Sequence, residues 1–198
     1  MTARRAAVGL TVKSGWASAV LLTTTGRSLH VADCRTVLLS DPAIADARQP
    51  YHAGFGTARA AGAGLSRLVA SVKRFGGRSM RDLLQDYTAA GHQISGAGVV
   101  VGSLVEPRTI ANAHIRIHAL EGQLFRTVVT TSLSRCGVAC SLWRDRDLPG
   151  VAVERLRKPE PAVRATLADL QSHVSGPWRA EQKAAALAAW IVIDAGPG

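Results

Sequence analysis

The run "ISGAGVVVGSLVEP" (94–107) constrains the fold more than any other part of the chain. It is continuously apolar rather than alternating, and glycines interrupt it at both ends. A strand with that composition has both faces covered, so it belongs inside a sheet that carries helices on each side. Pro107 breaks it. Asn112 is a suitable cap for a following helix that runs to about Arg135, where Gly137 ends it. The short apolar run "VACSLW" (138–143) then reads as a second buried strand. Strand, helix and strand in that order make a parallel crossover unit.

Upstream of this unit the pattern is antiparallel. "AAVGLTVK" and "WASAVLLTT" are β-rich runs joined through Ser14-Gly15, with glycine where a tight turn needs positive φ. "SLHVADCRTVLL" (28–39) supplies a third strand, and "SDPAIADARQP" (40–50) reads as a loop. The alanine-rich stretch from Tyr51 to Phe75 reads as a helix stopped by Gly76-Gly77. "SMRDLLQDYTAAG" then forms a second short helix capped by Ser79. Helices are expected after Pro149, Pro161 and Pro177. The order β-β-β-α-(α)-β-α-β-α predicts an α/β fold: a mixed five-stranded sheet, three strands antiparallel and then two parallel, flanked by helices. The expected organisation is one domain over 1–194 with a tail at 195–198.

Composition narrows the function classes. The 198 residues are 47% hydrophobic, and the formal charge of +10 comes from 24 basic and 14 acidic residues, arginine supplying 20 of the basic ones. The densest basic groups are "SVKRFGGRSMR" (71–81) and "RDRDLPGVAVERLRK" (144–158), the second interleaved with acids. Such a charge permits a polyanion partner, while 5% aromatic content offers no evident base-stacking platform. The apolar run at the start, within "MTARRAAVGLTVKSGW", is broken by Lys13, and "AAALAAWIVI" (184–193) is too short to span a bilayer, so a cytoplasmic protein is expected. Three cysteines give no disulfide framework, and the thiols of "CGVAC" are read as buried small hydrophobes.

Three segments, taken in order, carry a family resemblance: "VGLTVKSGWASAVLL", "GAGVVVGSLV" and "AEQKAAALAAWIVI". With the element order they make the chain resemble the RuvC-like branch of the ribonuclease H-like superfamily, the Holliday junction resolvases and their relatives. The resemblance implies a homodimer that binds nucleic acid, and acidic residues holding two magnesium ions for phosphodiester hydrolysis. At the corresponding positions this chain has Thr11, with Lys13 two residues on, then Gly102, and then Gln182 and Ala185. None is a carboxylate. Glu106, Glu121 and Glu181 do not stand at those positions. The expectation is therefore a RuvC-like domain without nuclease activity that binds nucleic acid or another phosphate-bearing ligand, with no resident metal or cofactor.

One further stretch asks for an explanation. "HIRIHALEGQLFR" (114–126), read as a helix, sets His114, His118 and Glu121 along one stripe. At 100° per residue, Leu120, Leu124, Phe125 and Val128 form the arc that faces the core, and the three polar groups lie in it or at its edge. Three readings remain open. The residues form a buried structural network; or the two histidines share a transition metal with Glu121 as third ligand, although no HExxH pattern is present; or they line an anion pocket together with Lys13 and Ser14 near the helix amino end. The last is preferred, which makes Lys13, Ser14, His114, His118 and Glu121 the expected ligand-binding set. The alternatives at the level of function are a metal-dependent hydrolase or nuclease with relocated active-site residues His114, His118 and Glu121, and a structural or dimerisation module docking through "KAAALAAW".

Overall fold

A computed structural model describes residues 4–26, 28–54 and 57–195. Strands β1 (Arg4–Lys13), β2 (Trp16–Thr25) and β3 (Ser28–Leu38) form an antiparallel meander. A two-stranded hairpin, β4 (His52–Gly54) with β5 (Thr57–Ala58), precedes helix α1 (Ala63–Ala89). Strand β6 (His92–Val101), helix α2 (Ala113–Arg135) and strand β7 (Cys140–Arg144) make the crossover unit, and α3 (Leu148–Leu156), α4 (Glu160–Gln171) and α5 (Ala180–Ala195) complete the chain. The main sheet has the order β3-β2-β1-β6-β7, with β6 parallel to both β1 and β7. This is the mixed five-stranded sheet that the sequence implies.

The alternation of side chains along β1 divides the interior into two cores. Ala6, Val8, Leu10 and Val12 pack beneath α1 and α2 with Phe125 and Met80. Ala7 faces the opposite side, where α5 supplies Ala185, Ala188 and Ala189. Gly9 lies on that second face, and a Cβ there would stand 1.7 Å from the carbonyl oxygen of Ala185. Gly98 on the neighbouring strand β6 is similar, with 2.6 Å to the carbonyl oxygen of Ala188. The glycines and alanines thus let α5 rest its backbone directly on the two central strands. Gly96 and Gly98 of the central run mark close packing, whereas Gly102 lies beyond the strand and meets nothing within 4 Å.

Four local expectations are corrected. Helix α1 runs unbroken through Gly76-Gly77, so Ser79 lies inside it and caps nothing. Gly76 is there for space: a Cβ would come within 2.8 Å of both the Leu39 carbonyl oxygen and Val128 Cγ1. Residues 52–54 and 57–58 form the small hairpin where a helix was expected, because Arg59 ties down the segment before it. Its guanidinium donates to the carbonyls of Pro50 and His52 and to Asp46, at 2.9, 2.9 and 2.8 Å. Finally, Cys136 and Cys140 are exposed, not buried; the first follows the last turn of α2 and the second opens edge strand β7. Strand β6 also stops at Val101, and residues 102–106 are exposed. The end of the expected tail, 196–198, lies outside the described residues. Among those described, no helix is long and apolar enough to cross a membrane.

The glycine contacts give a stability prediction. Gly9→Ala drives a methyl group into helix backbone that cannot rotate away, so the loss should reach the upper end of overpacking effects, about 3 kcal/mol. Thermal unfolding should show a Tm lower by roughly 6–12 °C, given about 2–4 °C per kcal/mol for a domain of this size. Gly102→Ala, which meets nothing within 4 Å, should leave Tm close to that of the parent.

Candidate functional site

Helix α2 begins at Asn112, whose side-chain oxygen accepts the backbone N–H of Ile115 at 3.1 Å. Arg116 holds the preceding turn by donating to the carbonyls of Ile110 and Ala111 at 2.8 and 3.0 Å. With its start fixed, the helix buries Ile117, Glu121, Leu124, Phe125 and Val128 on one side. His114 and His118 lie one turn apart at the edge of this face, both exposed, with their Nε2 atoms 3.3 Å apart. Leu120 is only half buried, and Ile117 takes the core position ahead of it.

Glu121 is completely buried, an uncommon place for a carboxyl group. Its partner is His52, on the hairpin strand β4: Nδ1 of His52 lies 2.7 Å from Glu121 Oε1. Burial is the main influence on Glu121 and raises its pKa, while the hydrogen bond with His52 acts in the opposite direction. An ionised carboxylate can only accept, so Glu121 in that form keeps a proton on Nδ1 and leaves Nε2 of His52 as the lone-pair nitrogen. The His52 ring packs against His118 with centroids 4.8 Å apart and lies 6.4 Å from His114. One ring nitrogen from each of the three histidines falls within 4.8 Å of the others. They open into a cavity of about 640 Å³, lined also by Asp46, Arg48 and Gln49.

Of the five residues expected to bind ligand, the structure brings His114, His118 and Glu121 together. Glu121 stands behind the histidines and not beside them. Lys13 and Ser14 line an adjoining cleft of about 430 Å³ with Trp16 and Glu181, and the two cavities share Arg48 and Gln49. Lys13 Nζ faces Glu181 Oε1 at 3.9 Å. His52 escaped the sequence reading because it lies 69 residues from Glu121, in a segment read as helix. A signal was available: a carboxyl group on the buried side of a helix needs a partner.

A second feature is electrostatic. Between α1 and α2 runs a groove of about 450 Å³ lined by Lys73, Arg74, Arg78, Arg81 and Arg135. Among the described residues, none of these five cations joins an ion pair.

No protein-family model matches the chain, and no curated protein matches it in sequence. Solved structures do match. RuvC of Thermus thermophilus aligns with a TM-score of 0.55 at 8% identity, over 94% of this chain and 92% of its own. The same organism's RuvC in complex with a Holliday junction substrate gives 0.54 at 10% identity, over 94% and 91%. The yeast mitochondrial Holliday junction resolvase Ydc2 gives 0.51 at 8% identity, over 98% and 80%. The fold is RuvC-like.

The family resemblance read in the sequence implies a pair of magnesium ions, and the residues at the positions it assigns to the metal-holding acids carry no carboxylate. Thr11 is 2% exposed and its hydroxyl donates to the Glu181 carbonyl at 2.9 Å. Gly102 has no side chain. The Gln182 side chain accepts the backbone N–H of Arg179 at 2.9 Å, which closes the first turn of α5. Ala185 is buried against Gly9. Magnesium requires anionic oxygens in a nearly octahedral arrangement. The carboxylate of Glu181, whose backbone carbonyl accepts from Thr11, faces the Lys13 ammonium at 3.9 Å.

The histidine geometry can be checked directly. Nitrogen NMR of the folded protein should report His52 as the tautomer protonated at Nδ1, and Glu121→Gln should change that signal while leaving those of His30 and His173, which stack on each other elsewhere, in place. Protonation of a neutral His52 at Nε2 would contradict an ionised Glu121 at this bond.

Proposed function

We propose that this RuvC-like domain binds nucleic acid through its phosphate backbone, using the basic groove between α1 and α2, and that it does not perform two-magnesium phosphodiester hydrolysis at the positions its fold implies. One observation carries the binding half: five exposed cations line a single groove and none is neutralised by an acid among the described residues. Unpaired, closely spaced positive charge is costly to hold together and is relieved by a polyanion, which releases its condensed counterions on binding. The groove has no aromatic side chain in its lining, which favours contacts to phosphate over stacking on bases. The likeness to a RuvC bound to a Holliday junction makes branched DNA the first substrate to try. Thr11, Gly102, Gln182 and Ala185, standing where the family resemblance implies metal-binding acids, support the other half.

The reading places phosphate contacts on α1 and α2 ahead of Lys13, whose ammonium already has Glu181 opposite it. Fluorescence anisotropy with four-way and duplex DNA should show affinity falling steeply as salt is raised. The logarithmic slope should be about 0.9 per phosphate neutralised. Arg74→Glu combined with Arg78→Glu should weaken binding strongly and make the slope shallower, with circular dichroism unchanged because both side chains are exposed. Binding that ignores salt, or that survives the double reversal, overturns the proposal. Cleavage of the junction in magnesium that is lost on Thr11→Val overturns the second half.

A further inference from the structure

We propose that His52, His114 and His118 form a binding site for one divalent transition-metal ion, with Glu121 as the carboxylate that orients His52. The proposal is independent of the groove and uses different residues.

The distance between the two helix histidines is the first support. Two nitrogens each about 2.0–2.1 Å from a tetrahedral zinc stand about 3.3–3.4 Å apart. The Nε2 atoms of His114 and His118 are 3.3 Å apart, which is long for a hydrogen bond and matches that tetrahedral edge. The third nitrogen comes from a different element, the β4 strand, so the three rings enclose a point in space rather than a stripe on one helix. One nitrogen from each of the three rings lies within 4.8 Å of the others.

Glu121 is the second and separate support. A fully buried carboxyl group joined at 2.7 Å to the Nδ1 of a histidine is the arrangement that fixes a metal ligand's tautomer and makes its other nitrogen a better donor. A surface polar network has no need of an acid placed where water cannot reach it. Arg59, which donates to the His52 carbonyl at 2.9 Å, fixes the backbone that carries the ring.

Ligand chemistry selects the class of ion. Three neutral imidazoles suit zinc, cobalt, nickel, copper or iron, and they disfavour magnesium and calcium, which require oxygen. The three histidines leave the fourth tetrahedral position to face the 640 Å³ cavity, where water or an anionic group can occupy it.

The test uses the full chain with Cys136→Ser and Cys140→Ser, which removes the two exposed thiols as competing ligands. Titration with Zn²⁺ should give one ion per chain, and excess Mg²⁺ should not displace it. Co²⁺ should give the intense visible bands of four-coordinate geometry. Glu121→Gln should weaken Zn²⁺ binding by about 10- to 100-fold. His114→Ala and His118→Ala should each weaken it further, and their exposure keeps the fold intact whatever becomes of the Glu121 variant. Absence of stoichiometric Zn²⁺ binding, a six-coordinate Co²⁺ spectrum, or binding that is unchanged when both helix histidines are removed overturns the proposal. None of these outcomes bears on DNA binding by the α1–α2 groove, so the two proposals fail separately.

Discussion

The seating of α5 on the sheet is the constraint from which the rest of the architecture follows. Backbone carbonyls of Ala185 and Ala188 occupy the space above Gly9 and Gly98 where side chains would otherwise project. Only glycine permits that approach, and only a small-residue helix face can exploit it. The contact places β1 and β6 at the centre of the sheet and buries Thr11 under the first turn of α5. A carboxylate at Thr11 would be desolvated and would face the Glu181 carbonyl, two unfavourable terms at once. The tight helix seat therefore disfavours an acid at position 11.

With that face closed, the polar chemistry of the molecule lies at the start of α2 and along the α1–α2 groove. The histidine cluster gathers on the hairpin and the amino end of α2, while the basic groove is lined by Lys73 to Arg81 of α1 and by Arg135 near the far end of α2. One long helix thus carries both, more than a dozen residues apart. Nothing in this arrangement requires them to act together. Phosphate contact and metal coordination demand opposite things of their surroundings: exposed, unpaired cations for one, neutral imidazoles backed by a buried acid for the other.

Much of this was legible in the sequence, and the failures have physical causes. The meander, the strand–helix–strand order of the crossover unit and the Asn112 cap follow from local pattern, since each depends on residues close together in the chain, whereas the pairing of β1 with β6 joins Arg4 to His92 across most of the first half of the chain. The pairing of His114 with His118 was legible for the same reason, being set by helical periodicity. Gly76-Gly77 misled because a glycine that makes room for Leu39 and Val128 has the same letter as one that ends a helix. The "CGVAC" thiols misled because apolar flanks do not reveal that β7 is an edge strand. His52 could not be assigned from local pattern, because what brings it to the site is the fold of everything between residues 52 and 121.

That intervening chain gives the Glu121–His52 bond a role beyond the cavity it lines. The bond closes a span of 69 residues that contains all of α1 and β6. A clasp across so long a segment removes disorder that the open chain would otherwise enjoy, and the gain grows only slowly with span. The hairpin cannot swing away without handing a dry carboxyl group back to solvent, so its docking tracks the integrity of the centre of the domain. A peripheral pair of short strands, β4 and β5, thereby becomes a fastening for a third of the protein.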